Sequence, residues 1–377
     1  MAQHPRVIHA NHAGSSWPRP PGVAAAMQQA LVAEPSRHSA LYDAAHAAIA
    51  RTFGIDSPSR LVLTGSCTQA LAIVLGDLPW QAGDVVVTSS LEHHALVRPV
   101  QKLAWERGVE HVAAPRTASG PIDLDVVAAS LHTGRVRLVA ATGASNVTGE
   151  LLPIAELAAL AHAHGALFLL DSAQVAGLLP CDVQALGVDL LVFAGHKGLQ
   201  GPLGIGGFWA ASHVAFACPA ASCELAPRGS DGAVAAKVAR GSFPGFCDVG
   251  SVNLPAACGL TAGIAWLAAQ PADVRQLPLV LAAQLREWVR ARWPDLLLGG
   301  DGPHTGATSL RLPPPLLARA EAHFAARGIV VRAGQHCAPM ALAAVGAPEG
   351  CLRIGFGPTN GDDDVEVVFA ALAELLA

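Results

Sequence analysis

Two short apolar runs, each broken off by polar residues, dominate the middle of the chain. The first reads Leu167-Phe-Leu-Leu-Asp171-Ser-Ala-Gln174, and the second Asp189-Leu-Leu-Val-Phe-Ala-Gly-His196-Lys197. Runs of that length and continuity suit strands buried on both faces of a parallel sheet. Similar runs predict strands at Arg60–Thr64, Asp84–Thr88, His111–Ala114 and Val136–Thr142. Between them, helical patterns predict helices at Val23–Leu31 and Ser39–Phe53, from the turn at Thr68 to about Leu75, beyond His94, and at Ile154–His164. Strand and helix in alternation imply right-handed crossovers and a mostly parallel sheet.

After about Pro271 the pattern changes. A long helix, Leu277–Trp293, precedes short strands at Thr308–Leu312, Ile329–Arg332 and Cys351–Phe356, with helices at Pro314–Arg327 and Asp362–Leu376. The expected organisation is an α/β chain with an arm over residues 1–20, a large domain over 21–271 and a smaller α+β domain over 272–377. No internal repeat interrupts it.

The chain has 377 residues, of which 52% are hydrophobic and 14% charged, so a large core can be buried. A formal net charge of −5 offers no basic patch for nucleic acid. Ala, Gly and Leu raise the mean hydropathy, yet no stretch of about 20 apolar residues lacks a polar interruption, so no membrane span is expected. The opening Met-Ala-Gln-His-Pro-Arg has no apolar signal core, which makes a cytoplasmic location the expectation. The eight cysteines lack the close pairing of a disulfide framework.

Ligands of open α/β sheets bind beyond the carboxyl ends of the strands. Asp171 and Gln174 fall beyond one such end, His196 and Lys197 beyond another. The chain contains three lysines, Lys102, Lys197 and Lys237. Lys102 falls in a helical pattern and Lys237 in a polar, Gly-rich region, so Lys197 alone stands where chemistry is expected. A lysine there can form a Schiff base, and a nearby acid can hold a pyridinium nitrogen, which together meet the requirement of pyridoxal 5'-phosphate. A strand-end Asp or Lys is often only a helix cap or surface ion pair; it is the set of four that points to the cofactor.

Ser66-Cys67-Thr68 lies between a strand and a helix, where free N–H groups and the helix dipole suit a phosphate. No dinucleotide or nucleoside-triphosphate glycine motif occurs. His93 and His94 follow a strand; a flat imidazole there can stack on a planar cofactor or merely start a helix. His162 and His164 are spaced i, i+2 and do not face each other, and no metal motif appears, so no metal is expected. The segment Arg332-Ala-Gly-Gln-His336-Cys337-Ala-Pro339 follows a strand. A cysteine in such a loop, beside Arg and His, can be exposed and reactive, with Arg332 and His336 favouring its thiolate. The other cysteines outside the turn at Cys67, from Cys181 to Cys351, are read as small buried apolar residues. Arg353, on a short strand, can offer a guanidinium fork to a substrate carboxylate.

These residues together resemble a known family. From about Asn11 to the carboxyl end the chain looks like a fold-type I pyridoxal phosphate enzyme of aminotransferase class V, most of all its group II cysteine desulfurases and selenocysteine lyases. The Asp-x-x-Gln and Gly-His-Lys pair carries the likeness to the class, and Arg-x-Gly-x-His-Cys the likeness to the desulfurase branch. By that resemblance Lys197 is the Schiff-base lysine, Asp171 the acid on the pyridine nitrogen and Gln174 the partner of the phenolate oxygen. His93 matches the imidazole stacked on the ring, and His196, Cys67 and Thr68 match phosphate-side positions. Asn146 matches the asparagine near both the substrate and the cofactor hydroxyl, and Arg332 and Arg353 match the substrate side, with Arg353 on the substrate carboxylate. Cys337 matches the cysteine that becomes a persulfide. Gly250-Ser251-Val252-Asn253 is similar to the family's Gly-Thr-Pro-Asn, whose hydroxyl reaches the neighbouring subunit, which implies a homodimer.

Three departures stand out. Ala194 lies where the family often has Ser, Cys67 where a small residue or Thr is usual, and Asn11-His12-Ala13-Gly14 where Asp-Asn-Ala-Ala is common. The implied reaction converts L-cysteine to L-alanine, with a sulfur-acceptor protein as a possible partner. Alternatives are a lyase acting on L-selenocysteine or on the C–S bond of cysteine, or another class V aminotransferase or epimerase. A non-catalytic binding protein is disfavoured by the presence of both Lys197 and Asp171.

Overall fold

The computed structural model of the chain describes residues 7–56, 58–217 and 252–377. A short arm strand, β1 (Ile8–His9), comes first. Then follow β2 (Leu61–Thr64), β3 (Val85–Ser89), β4 (Glu110–Ala114), β5 (Val136–Thr142), β6 (Leu167–Asp171), β7 (Leu190–Ala194) and β8 (Gly206–Ala210). These last seven form one sheet in the order β2-β8-β7-β6-β5-β3-β4. Within it β8 alone runs against its neighbours. Since β8 is antiparallel to both β2 and β7, those two run the same way. The carboxyl ends of β2, β3, β5, β6 and β7 therefore share one edge.

Helices α1 (Pro21–Leu31), α2 (His38–Thr52), α3 (Cys67–Asp77), α4 (His94–Arg107), α5 (Leu124–Leu131), α6 (Ile154–Ala163) and α7 (Leu254–Ala268) surround the sheet. Leu71 and Leu75 of α3 and Leu96 and Val100 of α4 pack on Val62, Val86, Leu138 and Leu169. Ile49 of α2, Leu157 of α6 and Leu260 of α7 pack on Leu63, Val87, Val139 and Phe168. Neighbouring residues such as Val86 and Val87 thus feed opposite cores, and this is why the strands read as unbroken apolar runs. Full burial of each such side chain is worth about 1.5–3 kcal/mol, so polar residues are confined to the strand ends.

The remainder comprises α8 (Ala272–Arg292), β9 (Ala307–Leu310), α9 (Pro314–Ala325), β10 (Ile329–Val330), β11 (Arg332–Gly334), α10 (Pro339–Ala344), β12 (Cys351–Gly355) and α11 (Asp362–Leu376). Strands β11-β12-β9 form an antiparallel sheet. Leu281 and Leu285 of α8, Phe324 of α9 and Leu372 of α11 share its core with Leu310 and Leu352. The arm joins here, because β1 pairs in parallel with β10.

Several expectations change. The strand expected at Ile329–Arg332 is two strands. Ile329 and Val330 pair with the arm, and Arg332 onward pairs with β12, so the chain changes partner at Val331. Helix α8 starts at Ala272 and carries Pro278 inside it. Helix α7 went unread because it is apolar almost all round, with Ala, Gly and Leu leaving no amphipathic stripe. Strand β8 was hidden by its glycines, which the packing requires. A Cβ on Gly207 would lie 2.4 Å from the Val62 carbonyl oxygen, and one on Gly206 2.7 Å from the Cys67 nitrogen.

Candidate active site

Asp171 ends β6, and Lys197 follows the end of the adjacent β7. Asp171 is 3% exposed. Its Oδ1 accepts from the Ala173 N–H at 3.0 Å and from the Cys67 thiol at 3.4 Å. Burial raises the Asp171 pKa, opposed by the Ala173 N–H and the Lys197 charge. Burial around the Lys197 ammonium lowers its pKa, with Asp171 pulling the other way. The second lysine, Lys102, lies on the exposed side of α4 with Nζ 3.1 Å from Glu106. Lys237 and Ser251 lie outside the described residues.

Three features frame this pair. At the start of α3, Ser66 caps the helix by accepting from the Gln69 N–H at 3.1 Å. Cys67 and Thr68 then occupy its first turn, where backbone N–H groups have no carbonyl within the helix to bond. His93 caps α4, its Nδ1 accepting from the Ala95 N–H at 3.0 Å. Burial first, then the Lys197 charge, lowers the His93 pKa to about 4, so the ring is neutral. His196 has its Nδ1 3.1 Å from the Ser15 hydroxyl and is likewise held at about 4 by burial. Gln174 is buried and its Nε2 donates to the Ala13 carbonyl of the arm at 3.1 Å.

The small sheet supplies the opposite wall. Arg353 on β12 is 4% exposed; Nη1 donates to the Asn146 carbonyl at 2.7 Å and Nη2 to Asn11 Oδ1 at 3.0 Å. The Asn146 side chain donates to the His336 carbonyl at 2.8 Å, and its Oδ1 is buried without a protein partner. Arg332 lies opposite Arg353 in register but at the rim, its Nη1 3.5 Å from Glu321. Cys337 is exposed at the mouth of the cleft. The cleft holds about 470 Å³ and is lined by Asp171 and Lys197 together with the first turn of α3, His93, His196, Gln174, Asn146, Arg332, Arg353 and Cys337.

One reading of the sequence is corrected. His336 is half-buried, with Nε2 3.0 Å from the Cys351 carbonyl, and burial lowers its pKa to about 4. A neutral ring cannot favour the Cys337 thiolate by charge. The Cys67 thiol turns to Asp171, which leaves its backbone N–H at the helix start, where the turn at Cys67-Thr68 is expected to serve a phosphate. Two more site groups were not singled out from the sequence. Asn11 comes from the arm, and its only signal was the unusual Asn-His-Ala-Gly. Glu92, fully buried behind the site, accepts from the Ser89 hydroxyl at 2.6 Å and the Thr142 N–H at 3.0 Å.

The sequence model of the family described as aminotransferase class-V matches residues 23–368. The chain belongs to that family, and its α/β architecture is fold type I. Its relatives include cysteine desulfurases. It is 34% identical over 359 residues to a probable cysteine desulfurase of Pseudomonas aeruginosa, covering 93% of this chain and 86% of that protein. It is 30% identical over 367 residues to the cysteine desulfurase CsdA of Escherichia coli, covering 91% and 85%. The apo structure of a cysteine desulfurase from Thermococcus onnurineus matches with a TM-score of 0.85 at 25% identity, over 98% of this chain and 94% of that one. The chain is thus an enzyme of this family, and the family implies pyridoxal phosphate.

Proposed function

We propose that this chain is a pyridoxal-phosphate-dependent cysteine desulfurase, converting L-cysteine to L-alanine and leaving the sulfur as a persulfide on Cys337. One observation carries the reading: a buried acid, a lysine of lowered pKa and an exposed thiol share one cleft.

The donor set fits the cofactor. Asp171 would hold the ring nitrogen, and Lys197 Nζ would carry the covalent bond. His93 would face the ring, Gln174 the phenolate oxygen, and the first turn of α3 with His196 the phosphate. When bound, the cofactor supplies an electron sink for charge developing at the amino acid's α-carbon. The remaining work falls to the protein. Arg353 and Asn146 orient the substrate through its carboxylate. Lys197, its pKa lowered by burial, takes the proton from the α-carbon as a general base. The Cys337 thiolate attacks the substrate sulfur. Overall, a thiol and cysteine become a persulfide and alanine, with the thiol proton accounted for on the new methyl group. A homodimer in the cytoplasm, with Ser251 reaching the neighbouring site and an acceptor protein taking the sulfur, completes the proposal; the Gly-Ser-Val-Asn segment supports the dimer.

Borohydride reduction of the purified yellow protein, followed by peptide mapping, should place the cofactor on Lys197. Label on Lys102 or Lys237 would sink the assignment, and an active monomer on sedimentation of the same sample would sink the dimer.

A further inference from the structure

The arm motif Asn11-His12-Ala13-Gly14 finds no use in the reading above, yet it reaches the substrate side of the cleft. The arm runs beside β12: the His12 N–H donates to the Gly355 carbonyl at 3.0 Å and the Gly355 N–H to the Ala10 carbonyl at 2.7 Å. Asn11 bridges to Gly355 in this parallel pairing, two residues along from Arg353.

We propose that Asn11 is a positioning residue that fixes the Arg353 guanidinium through a neutral acceptor and so leaves its full charge for the substrate carboxylate. The inference rests on the assignment of Arg353 to that carboxylate.

Both bonded partners of the guanidinium are uncharged, the Asn11 amide oxygen and the Asn146 carbonyl. Arg353 Nε is buried with no protein partner. The ionisable groups coupled to Arg353 are the thiols of Cys351 and Cys337, the Arg332 and Lys197 cations and the His93 and His336 rings, and among the described residues none is a carboxylate. Burial lowers its pKa to about 10, so the group stays charged at neutral pH. A buried cation held only by neutral acceptors is a receptor for an anion, because buried charges require pairing. Gly14 leaves room for the amide. A Cβ there would lie 3.0 Å from Asn11 Oδ1 and 3.1 Å from Nδ2.

An aspartate at position 11 would have the same shape but would pair with Nη2 itself. It would compensate the cation internally and set a second negative charge beside the incoming one. The test compares Asn11→Asp, Asn11→Ala and Arg353→Lys holoenzymes. The probe is 3-mercaptopropionate, which has the carboxylate and thiol of the substrate but no amine. Its dissociation constant is measured by calorimetry, and KM and kcat for L-cysteine alongside. Asn11→Asp should weaken the probe and raise KM by about tenfold, or ~1.4 kcal/mol, with kcat changed much less. Asn11→Ala, which removes the acceptor without adding charge, should raise KM by roughly threefold, or ~0.7 kcal/mol. It decides the matter if the Asp variant does not fold. Wild-type affinity in the Asn11 variants, with Arg353→Lys impaired, would overturn the role of Asn11 and spare the carboxylate assignment. Wild-type affinity in Arg353→Lys would overturn the assignment itself.

Discussion

Cys337 and His336 both have left-handed backbones, with φ of 54° and 49°. For residues other than glycine this conformation costs on the order of 1–3 kcal/mol each and persists only where the surroundings impose it. Here the surroundings are explicit. The Asn146 amide donates to the His336 carbonyl at 2.8 Å, His336 Nε2 lies 3.0 Å from the Cys351 carbonyl, and the His94 N–H donates to the Cys337 carbonyl at 2.9 Å. The loop is thereby tied to both walls of the cleft while the thiol stays exposed. Cys337→Ala should abolish alanine formation from cysteine, by about a hundredfold or more, while Lys197 still captures the cofactor. Alanine formed at the wild-type rate would show that Cys337 is not the sulfur acceptor. The thiol was legible in the sequence because its loop is flanked by Gly and Pro. The partial burial of His336 was not, since it depends on β12 packing from fifteen residues away.

Among the elements, β8 is the one on which the site's geometry leans without contributing a side chain. It fills the gap between β2 and β7, and Gly206 lets the start of α3 approach the sheet. A Cβ on Gly206 would lie 2.7 Å from Cys67 N, Ser66 C and Phe193 O. All three are backbone atoms, so relief requires the helix start or the sheet to move. Gly206→Ala should cost roughly 1–3 kcal/mol of stability and displace the N–H groups proposed for the phosphate. Urea unfolding and titration of the apoprotein with pyridoxal phosphate would both register it. An unchanged midpoint together with unchanged cofactor affinity would refute the argument. Strands β5, β6 and β7 were readable from runs of Val, Leu and Phe, each stopped by a polar residue. Strand β8 begins Gly-Gly, and α7 shows no polar face, so neither carried the period by which such elements are recognised.

For the molecule as a whole, buried titratable groups set the pH range of stability. Burial is the first cause that lowers His12 to about 3 and His93, His196, His304 and His336 to about 4. Between pH 6.5 and these values the unfolded chain binds protons that the folded chain refuses, so stability falls as pH falls through that window. Glu92 acts in the opposite sense. Burial raises it from 4.5 to about 8, so its contribution is lost as pH rises from about 4.5 through 8. Asp171, also raised by burial, acts with Glu92, while His9, His94 and His111 are lowered like the five, so the histidines outnumber the acids and make the acid limb the steeper. Urea midpoints from pH 4.5 to 8.5 should fall sharply below 6.5 and gently toward 8, and Glu92→Gln should flatten the gentle limb. A midpoint rising on acidification below 6.5 would contradict this. Composition and periodicity foretold a parallel sheet followed by a smaller mixed unit. They could not foretell that the arm would cross to β10 and β12, because such pairing leaves no local pattern.

That crossing bears on the order in which the chain acquires its reactivity during synthesis. Asn11 and Arg353 meet across 342 positions, and closing so long a loop is slow and comes late. Translation delivers amino-terminal segments first, so Asp171 and Lys197 emerge well before Cys337 and β12. Strand β12 lies between β9 and β11 and also receives the arm, so the second wall cannot stand until nearly the whole chain is available. A nascent chain can therefore hold the lysine and acid long before it can present the thiol beside an anion receptor. The capacity proposed for Cys337, to take sulfur from a bound amino acid, therefore comes after the lysine and the acid have been made.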